Sequence, residues 1–147
     1  MPVQKLSISL PPALVAELDA RGDERSGTLA RHMERYLAIL DASHRRLADL
    51  LSDAEIGLVL DTLNGTRFAD TISIQLVHAE VAYAISMDRL DRKWKVDGPA
   101  LVKKLRALSY ADSAALVDAV ERWWNRSAAG EVPKPGEALR PKPKRAK

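Results

Sequence analysis

The sequence predicts a mainly α-helical protein, with one short N-terminal β-strand that pairs across a dimer and a helical domain that follows. Three observations support this fold. Polar and apolar residues alternate from Lys5 to Leu10, and two prolines end the alternation. Helix start signals recur along the rest of the chain. Finally, 46% of the 147 residues are hydrophobic, which is enough to bury a core.

The alternating N-terminal segment has two unlike faces when it is extended, because successive side chains of a strand point in opposite directions. The apolar face carries Leu6, Ile8 and Leu10. The polar face carries Lys5, Ser7 and Ser9. The polar face is therefore a candidate surface for hydrogen bonds to an external partner.

Two helices are predicted after this strand. The first begins near Pro12, since proline loses no intrahelical bond at the start of a helix, and Gly22 predicts a left-handed stop. The second begins at Ser26 or Thr28 as N-cap. The second helix either runs on past residues 41–43 or breaks there, with Ser43 as a new cap. The apolar residues at helical spacing are Leu14, Val15, Leu18, Leu29, Met33, Leu37 and Leu40.

This N-terminal unit needs a second copy, because about 40 residues bury too little surface and a single strand leaves its backbone groups unpaired. Two copies with antiparallel strands would fuse their apolar stripes into one core. We therefore expect a homodimer or a higher even oligomer. The predicted dimer core consists of Leu6, Ile8, Leu10, Leu14, Leu18, Leu29, Met33 and Leu37.

Residues 3–40 resemble the ribbon-helix-helix family of DNA-binding repressors, of the Arc and MetJ type. The resemblance rests on the alternating strand, the Leu10-Pro11-Pro12 junction, the first helix, the Gly22 turn and the start of the second helix. It implies that a two-stranded ribbon enters the major groove of double-stranded DNA. The residues that it places on base edges are Lys5, Ser7 and Ser9; those that it places on phosphates are Arg25, Ser26, Gly27 and Thr28.

Residues 43–126 are predicted to form a helical domain of about four helices. Ser52 and Glu55 form a capping box that starts a helix, which buries Ile56, Val59 or Leu60, and Leu63 and ends at Asn64-Gly65. From Thr71 to Trp94 a helix is favoured over a strand. The residues that fit its apolar side are Ile72, Leu76, Ala79 and Tyr83.

Two further helices complete this domain. Asp97-Gly98-Pro99 opens one that carries Leu101, Leu105 and Leu108, and Ser109 caps another with Leu116 and Val120. Trp123 and Trp124 are adjacent, so they cannot both face one core, and one of them is expected at the domain surface or at a subunit contact. The pair is therefore a candidate surface for a protein or small-molecule effector; the alternative is that the first unit or the tail packs against both.

The last segment, 127–147, is predicted to be a disordered basic tail. Residues 130–147 hold six basic and two acidic side chains, so they carry +4, and the rest of the chain carries −1 of the total of +3. Any affinity of the folded part for DNA must therefore come from the placement of its charges.

Several kinds of chemistry are excluded or disfavoured by the sequence. Without cysteine there is no disulfide, thiolate nucleophile or cysteine zinc site. The three histidines stand singly and the glycines are scattered, so we expect no catalytic residue, no metal and no cofactor. No signal peptide or membrane-length apolar window is present, and a cytoplasmic location without membrane contact is expected.

The predicted function is sequence-specific binding of double-stranded DNA by a homodimeric transcriptional repressor. An antitoxin or a plasmid accessory protein would share this DNA chemistry. An alternative of another class is a helical protein-interaction module whose ribbon serves only to dimerise.

Overall fold

The computed structural model describes residues 3–63, 74–131 and 133–140. Within these residues the chain forms α-helices and short 3-10 turns. The α-helices are α1 (Pro12–Arg21), α2 (Arg25–Leu50), α3 (Asp53–Thr62), α4 (Val77–Asp88), α5 (Leu90–Trp94), α6 (Gly98–Arg106) and α7 (Tyr110–Ala128). The 3-10 turns are Ile74–Leu76 and Pro135–Ala138. The mainly α-helical class agrees with the prediction.

The predicted N-terminal β-strand is wrong, and with it the ribbon of the expected fold. Residues 3–11 form neither helix nor strand, and the described part of the chain contains no strand at all. A strand depends on backbone hydrogen bonds to a neighbouring strand. No described segment supplies such a neighbour, so the alternating pattern alone does not produce a strand.

The chain divides into two compact units, Met1–Ala38 and Ile39–Lys147. The predicted boundaries were 1–42, 43–126 and 127–147. Helix α2 belongs to both units, because it continues through residues 41–43 without a break. Ser43 does not cap a new helix. It is fully buried, and its hydroxyl accepts a hydrogen bond of 2.8 Å from Arg46 Nη2.

The first unit consists of the N-terminal segment, α1 and the first half of α2. Helix α1 begins at Pro12 as predicted, but Gly22 has a φ of 176° and is extended, not left-handed. Glycine is needed there for space, because an added Cβ would overlap the hydroxyl of Thr28. Helix α2 begins at Arg25, so neither Ser26 nor Thr28 is its N-cap.

The second unit has a closed apolar core. Three of its helices, α3, α6 and α7, begin where the capping signals predict. The Ser52 hydroxyl accepts from Glu55 N at 3.2 Å while Glu55 Oε2 accepts from Ser52 N at 2.8 Å, and Ser109 caps α7 by accepting from Asp112 N at 3.1 Å. The core consists of Leu40, Leu47, Leu51, Ile56, Leu58, Val59, Leu60, Leu63, Val77, Val81, Leu101, Leu105, Ala115, Leu116, Ala119, Val120, Ala138 and Leu139.

The predicted helix from Thr71 to Trp94 is divided. Arg89, with a φ of 53°, separates α4 from α5. The buried residues of α4 are Val77, Val81 and Ala84. The predicted apolar side is different: Leu76, Ala79 and Tyr83 are exposed, and Ile72 lies outside the described residues. Asn64 and Gly65, the predicted end of α3, also lie outside the described residues. Both sets have helical spacing, so periodicity alone could not choose the face that packs.

Part of the predicted disordered tail is folded. Helix α7 continues to Ala128, and the 3-10 turn at Pro135–Ala138 is followed by Leu139, which is 4% exposed. Arg140 Nη1 donates to Asp53 Oδ1 at 2.9 Å, next to the start of α3. The two apolar side chains Ala138 and Leu139 explain this order, because their burial fixes a segment that is otherwise polar.

Candidate functional sites

The residues predicted to contact bases lie on the N-terminal segment. Lys5, Ser7 and Ser9 are all exposed. Leu6 and Ile8 between them are also exposed, by 79% and 59%. A partner can therefore reach the polar side chains, and the described residues leave the apolar ones uncovered.

The residues predicted to contact phosphate lie in the first turn of α2. Two of them already form hydrogen bonds with other groups of the chain. Arg25 Nε and Nη2 donate to the two carboxylate oxygens of Asp19 at 2.7 and 2.9 Å. This bidentate pair holds the pKa of Asp19 below its ordinary value. Ser26 is exposed, but Thr28 is fully buried and its N–H donates to Glu24 O at 3.0 Å.

The Glu24 carboxylate also lies beside this turn, since its Oε2 is 2.5 Å from the position that a Cβ on Gly27 would take. A carboxylate at a helix N-terminus is favoured by the helix dipole, and a phosphate would be favoured there for the same reason. The four residues therefore do not form an open phosphate cradle. Arg25 and Ser26 are the exposed members of this set.

The residues predicted to form a dimer core line a largely uncovered apolar face. Among the described residues of the first unit, Thr28 alone is buried. The more exposed members of the predicted core are Leu6, Ile8, Leu14, Met33 and Leu37, and the half-buried ones are Leu10, Leu18 and Leu29. Tyr36 is exposed by 46% on the same helix. It was not predicted, although its position three residues after Met33 has the helical spacing that could have identified it.

Two hollows open on this apolar face. One, of about 310 Å³, lies among Leu10, Leu14, Leu18 and Leu29. The other, of about 220 Å³, lies beside Ile8 and shares three of these leucines. Both hollows are open at the surface, so these leucines present apolar area that the described residues of the unit leave uncovered.

A different kind of site, the tryptophan cavity, lies in the second unit. It has a volume of about 190 Å³. Its walls come from α3, α5, α7 and the turn at Pro135. The lining residues are Gly57, Leu60, Asp61, Lys93, Trp94, Trp123, Trp124 and Pro135.

Asp61 organises one wall of the tryptophan cavity. Its Oδ2 accepts from Trp94 Nε1 at 3.0 Å and from Lys93 Nζ at 2.5 Å. Burial raises the pKa of Asp61, but the hydrogen bonds from Lys93 and Trp94 outweigh it and hold the pKa below its ordinary value. The carboxylate is therefore ionised near neutral pH. Lys93 Nζ also lies 5.8 Å from the centroid of the Trp94 ring.

Trp123 and Trp124 form the opposite wall. Their rings meet edge to face, with centroids 4.9 Å apart and an interplanar angle of 84°. Both side chains are half-buried and both line the cavity, whereas the sequence predicted that the two would face different surroundings. Each Nε1 atom is buried and has no hydrogen-bond acceptor among the described residues.

Sequence reasoning missed Gly57, Asp61 and Lys93 as parts of this cavity. A Cβ on Gly57 would lie 2.7 Å from two carbons of the Trp94 ring, so only glycine lets that ring lie against α3. A glycine inside a well-capped helix could have been noticed as a close-approach site. Asp61 and Lys93 are 32 residues apart, and no local pattern connects them.

The histidines do not form a metal site with other described residues. No group of three or more His, Cys, Asp or Glu side chains in the described ranges could hold a metal ion. His44 is buried, with Nε2 2.9 Å from Ala115 O and 3.3 Å from Asp118 Oδ2, and therefore connects α2 to α7. None of the described helices is long and apolar enough to cross a bilayer.

Comparison of the chain with protein-family models, with curated proteins and with solved structures gives no match.

Proposed function

We propose that the protein is a homodimeric, sequence-specific double-stranded DNA-binding protein that acts as a transcriptional repressor. The first unit binds DNA and dimerises, and the second unit serves oligomerisation or binds an effector. The observation that carries the proposal is the combination, within residues 3–37, of accessible polar side chains with an uncovered apolar face.

A second copy of the chain is the occupant that best fits the apolar face. A unit of about 40 residues is too small to bury a stable core alone. The face has leucine-lined hollows of about 310 and 220 Å³, and exposed Leu14 lines the larger one. Met33 and Leu37 are exposed on α2. The same apolar patch on two copies can be self-complementary about a two-fold axis. Side chains of one copy would then fill the hollows of the other.

DNA is the partner that best fits the polar side chains. The Lys5 ammonium can donate to O6 and N7 of guanine in the major groove, and the hydroxyls of Ser7 and Ser9 can donate to or accept from several bases. A dimer presents these side chains twice. The proposal therefore predicts a site made of two short half-sites in an inverted or direct repeat.

The experiment is a pull-down of sheared source DNA by the purified protein, followed by sequencing of the retained fragments. A concentration of about 150 mM salt screens much of the nonspecific phosphate attraction. The proposal predicts that a short repeated motif is recovered by the wild type and lost in the variant Lys5→Ala/Ser7→Ala/Ser9→Ala, which remains dimeric.

The matched control is Ser86→Ala/Lys103→Ala in the second unit. Both side chains are exposed, and the variant loses the same single positive charge. It should retain the motif. Retention of random DNA equally by wild type and triple variant would refute sequence-specific binding through the N-terminal segment.

An antitoxin or a plasmid accessory protein would give the same pull-down result, because its DNA chemistry is the same. The helical interaction module, in which the first unit only dimerises, is favoured by the tryptophan cavity. That alternative predicts the opposite effects of substitution: the variant Lys5→Ala/Ser7→Ala/Ser9→Ala keeps its function, and changes at Trp123 or Trp124 abolish it.

A further inference from the structure

We propose that a groove between α4 and α6 binds a small organic anion with a short aliphatic chain and an anionic head group such as a carboxylate. Four apolar and two basic side chains line this α4–α6 groove: Ala82, Ile85, Pro99, Val102, Lys103 and Arg106. All of them belong to the second unit. Binding at this groove is therefore independent of the proposed DNA function.

The size of the α4–α6 groove suits a small molecule. Sites for such molecules occupy about 300–1,000 Å³ and are mostly apolar, with a few polar groups that orient the ligand. The volume of the groove is about 360 Å³, at the lower end of this range. Along α6, the distance from Pro99 to Arg106 is about 10 Å at a rise of 1.5 Å per residue. An extended chain of roughly six to eight carbons, with bonds of about 1.5 Å, spans most of this length.

The start of α6 forms the apolar end of the groove. A Cβ on Gly98 would lie 3.2 Å from two carbons of the Ile85 side chain, so the glycine lets this turn lie close to α4. Ile85 and Val102 are half-buried, and Pro99 is exposed. Each of these side chains therefore keeps apolar surface that a ligand can cover. An aliphatic chain gains free energy in proportion to the apolar area that it removes from water there.

The last turn of α6 forms the cationic end of the groove, because Lys103 and Arg106 both lie in it. Both side chains are exposed. Neither forms an ion pair or a side-chain hydrogen bond with another described residue. Lys104 beside them is different, since its Nζ donates to Glu55 Oε1 at 2.9 Å. Two basic side chains thus remain available at the end of an apolar groove.

The spacing of the two cations favours one anionic group between them. Residues three apart are neighbours on a helix surface, so Lys103 and Arg106 repel each other, and an anion bound between them would relieve that repulsion. The guanidinium of Arg106 can donate two parallel hydrogen bonds to a carboxylate. No acidic side chain is among the described residues that line the groove. A cationic ligand would therefore be repelled, and an uncharged one would lack the charge-assisted contacts.

The test is a titration of the full-length protein with four probes at pH 7 and constant ionic strength: hexanoate, hexan-1-ol, hexylammonium and propanoate. Backbone amide shifts in nuclear magnetic resonance spectra give both the affinity and the location. We expect saturable shifts at Ile85, Gly98 and Val102. Hexanoate should bind at least threefold tighter than hexan-1-ol and at least fivefold tighter than propanoate, and hexylammonium should bind most weakly of the three hexyl probes.

Three results would overturn the proposal. The first is a set of hexanoate-induced shifts that lies outside the α4–α6 groove, for example at the hollows of the first unit. The second is a smaller preference for hexanoate over hexan-1-ol, which would show that the two cations are not used. The third is a smaller preference for hexanoate over propanoate, which would show that the apolar end is not used.

A charge-removing variant tests the two cations directly. Lys103→Met/Arg106→Met keeps long side chains on the wall but removes both charges. The ratio of hexanoate affinity to hexan-1-ol affinity should fall at least threefold. A ratio is compared because the substitutions also alter the wall itself, which affects both hexyl probes.

Arg92→Met/Lys95→Met is the matched control. It removes the same two charges from exposed side chains that do not line the groove, and it should keep the wild-type ratio. An equal fall of the ratio in both variants would contradict a local site, because it would show that hexanoate responds only to the overall charge of the protein.

Discussion

The two units of the chain bury their apolar residues to very different extents. In the second unit, leucines, valines and isoleucines from several helices are almost fully removed from solvent, and Leu47, Leu58 and Leu63 are 0% exposed. In the first unit, Leu14 and Leu37 are each 52% exposed, and among its described residues only Thr28 is buried. The second unit therefore has an apolar core of its own, whereas the apolar residues of the first unit remain largely exposed.

This difference indicates where partners act. Burial of apolar surface is the main favourable term in folding, and a unit that lacks it must gain it by association. We infer that the stability of the second unit is intrinsic and that of the first depends on protein concentration. The predictions below test this contrast, from the largest effect to the smallest.

Leu58→Ala in the second unit should lower the free energy of unfolding by about 3–5 kcal/mol, because Leu58 is completely buried and its removal leaves a cavity. The loss should be the same at every protein concentration. Leu14→Ala in the first unit is the comparison. Its effect should vary with concentration and should appear as weaker association. Urea unfolding at micromolar and at tenfold higher concentration separates the two; a concentration-independent loss of equal size in both variants would contradict the contrast.

Gly57→Ala should destabilise the protein, whereas Gly27→Ala should stabilise it. Both glycines lie in helices, where alanine is favoured by roughly 0.5–1 kcal/mol. At Gly57 the new methyl group meets the Trp94 ring, so overpacking should cost about 1–3 kcal/mol. At Gly27 the nearest atoms belong to the flexible Glu24 side chain, which can move away. Thermal unfolding checks both; a stabilised Gly57→Ala would show that the Trp94 ring is free to shift.

Ser52→Ala should destabilise the second unit by about 1 kcal/mol, because it removes the acceptor for Glu55 N at the start of α3. Ser86→Ala, at an exposed position on α4, should change stability by less than about 0.5 kcal/mol. Chemical denaturation of the two variants under one set of conditions makes this comparison. Equal small effects would mean that the capping box contributes nothing measurable.

The smallest effect concerns pH. A hydrogen bond from Arg46 holds the pKa of Asp112 below its ordinary value, and Ser43 and Ser109 also donate to it. A carboxylate whose pKa is lower in the folded state stabilises that state above its unfolded pKa, near 4, and this stabilisation is lost as pH falls through the folded pKa. Asp112→Asn should therefore flatten the decline of stability below about pH 4. An unchanged slope would show that this ion pair does not contribute.

The sequence predicted those features that depend on neighbours along the chain. The caps at Ser52, Asp97 and Ser109 form as expected, because a capping hydrogen bond joins residues only three apart. Features that depend on distant contacts were not predictable. In and just before α4, two sets of apolar residues had helical spacing, and packing buried Val77 and Val81 instead of Leu76 and Tyr83.

The roles of two glycines also depend on contacts that a local sequence pattern does not contain. Gly22 was expected to be left-handed from its place after a helix, but it is extended, and its lack of a side chain makes room for Thr28. Gly57 makes room for Trp94, which follows 37 positions later. Neither contact could be derived from local pattern. The tryptophan cavity was likewise only half predicted, since Trp123 and Trp124 were identified but their partners on α3 and α5 were not.

The most direct test of the central claim, that the first unit is completed by a second copy, is the molar mass in solution by sedimentation equilibrium. The chain has a mass of 16.2 kDa. We expect twice that mass, or a higher even multiple, for the wild type. Met33→Lys/Leu37→Lys should return the mass to that of one chain with the helix content retained.

Tyr83→Lys/Met87→Lys, which places the same charges on exposed residues of α4, should keep the wild-type mass. A wild-type mass of 16.2 kDa at tens of micromolar would contradict the claim. So would an assembly that survives the two lysines in α2.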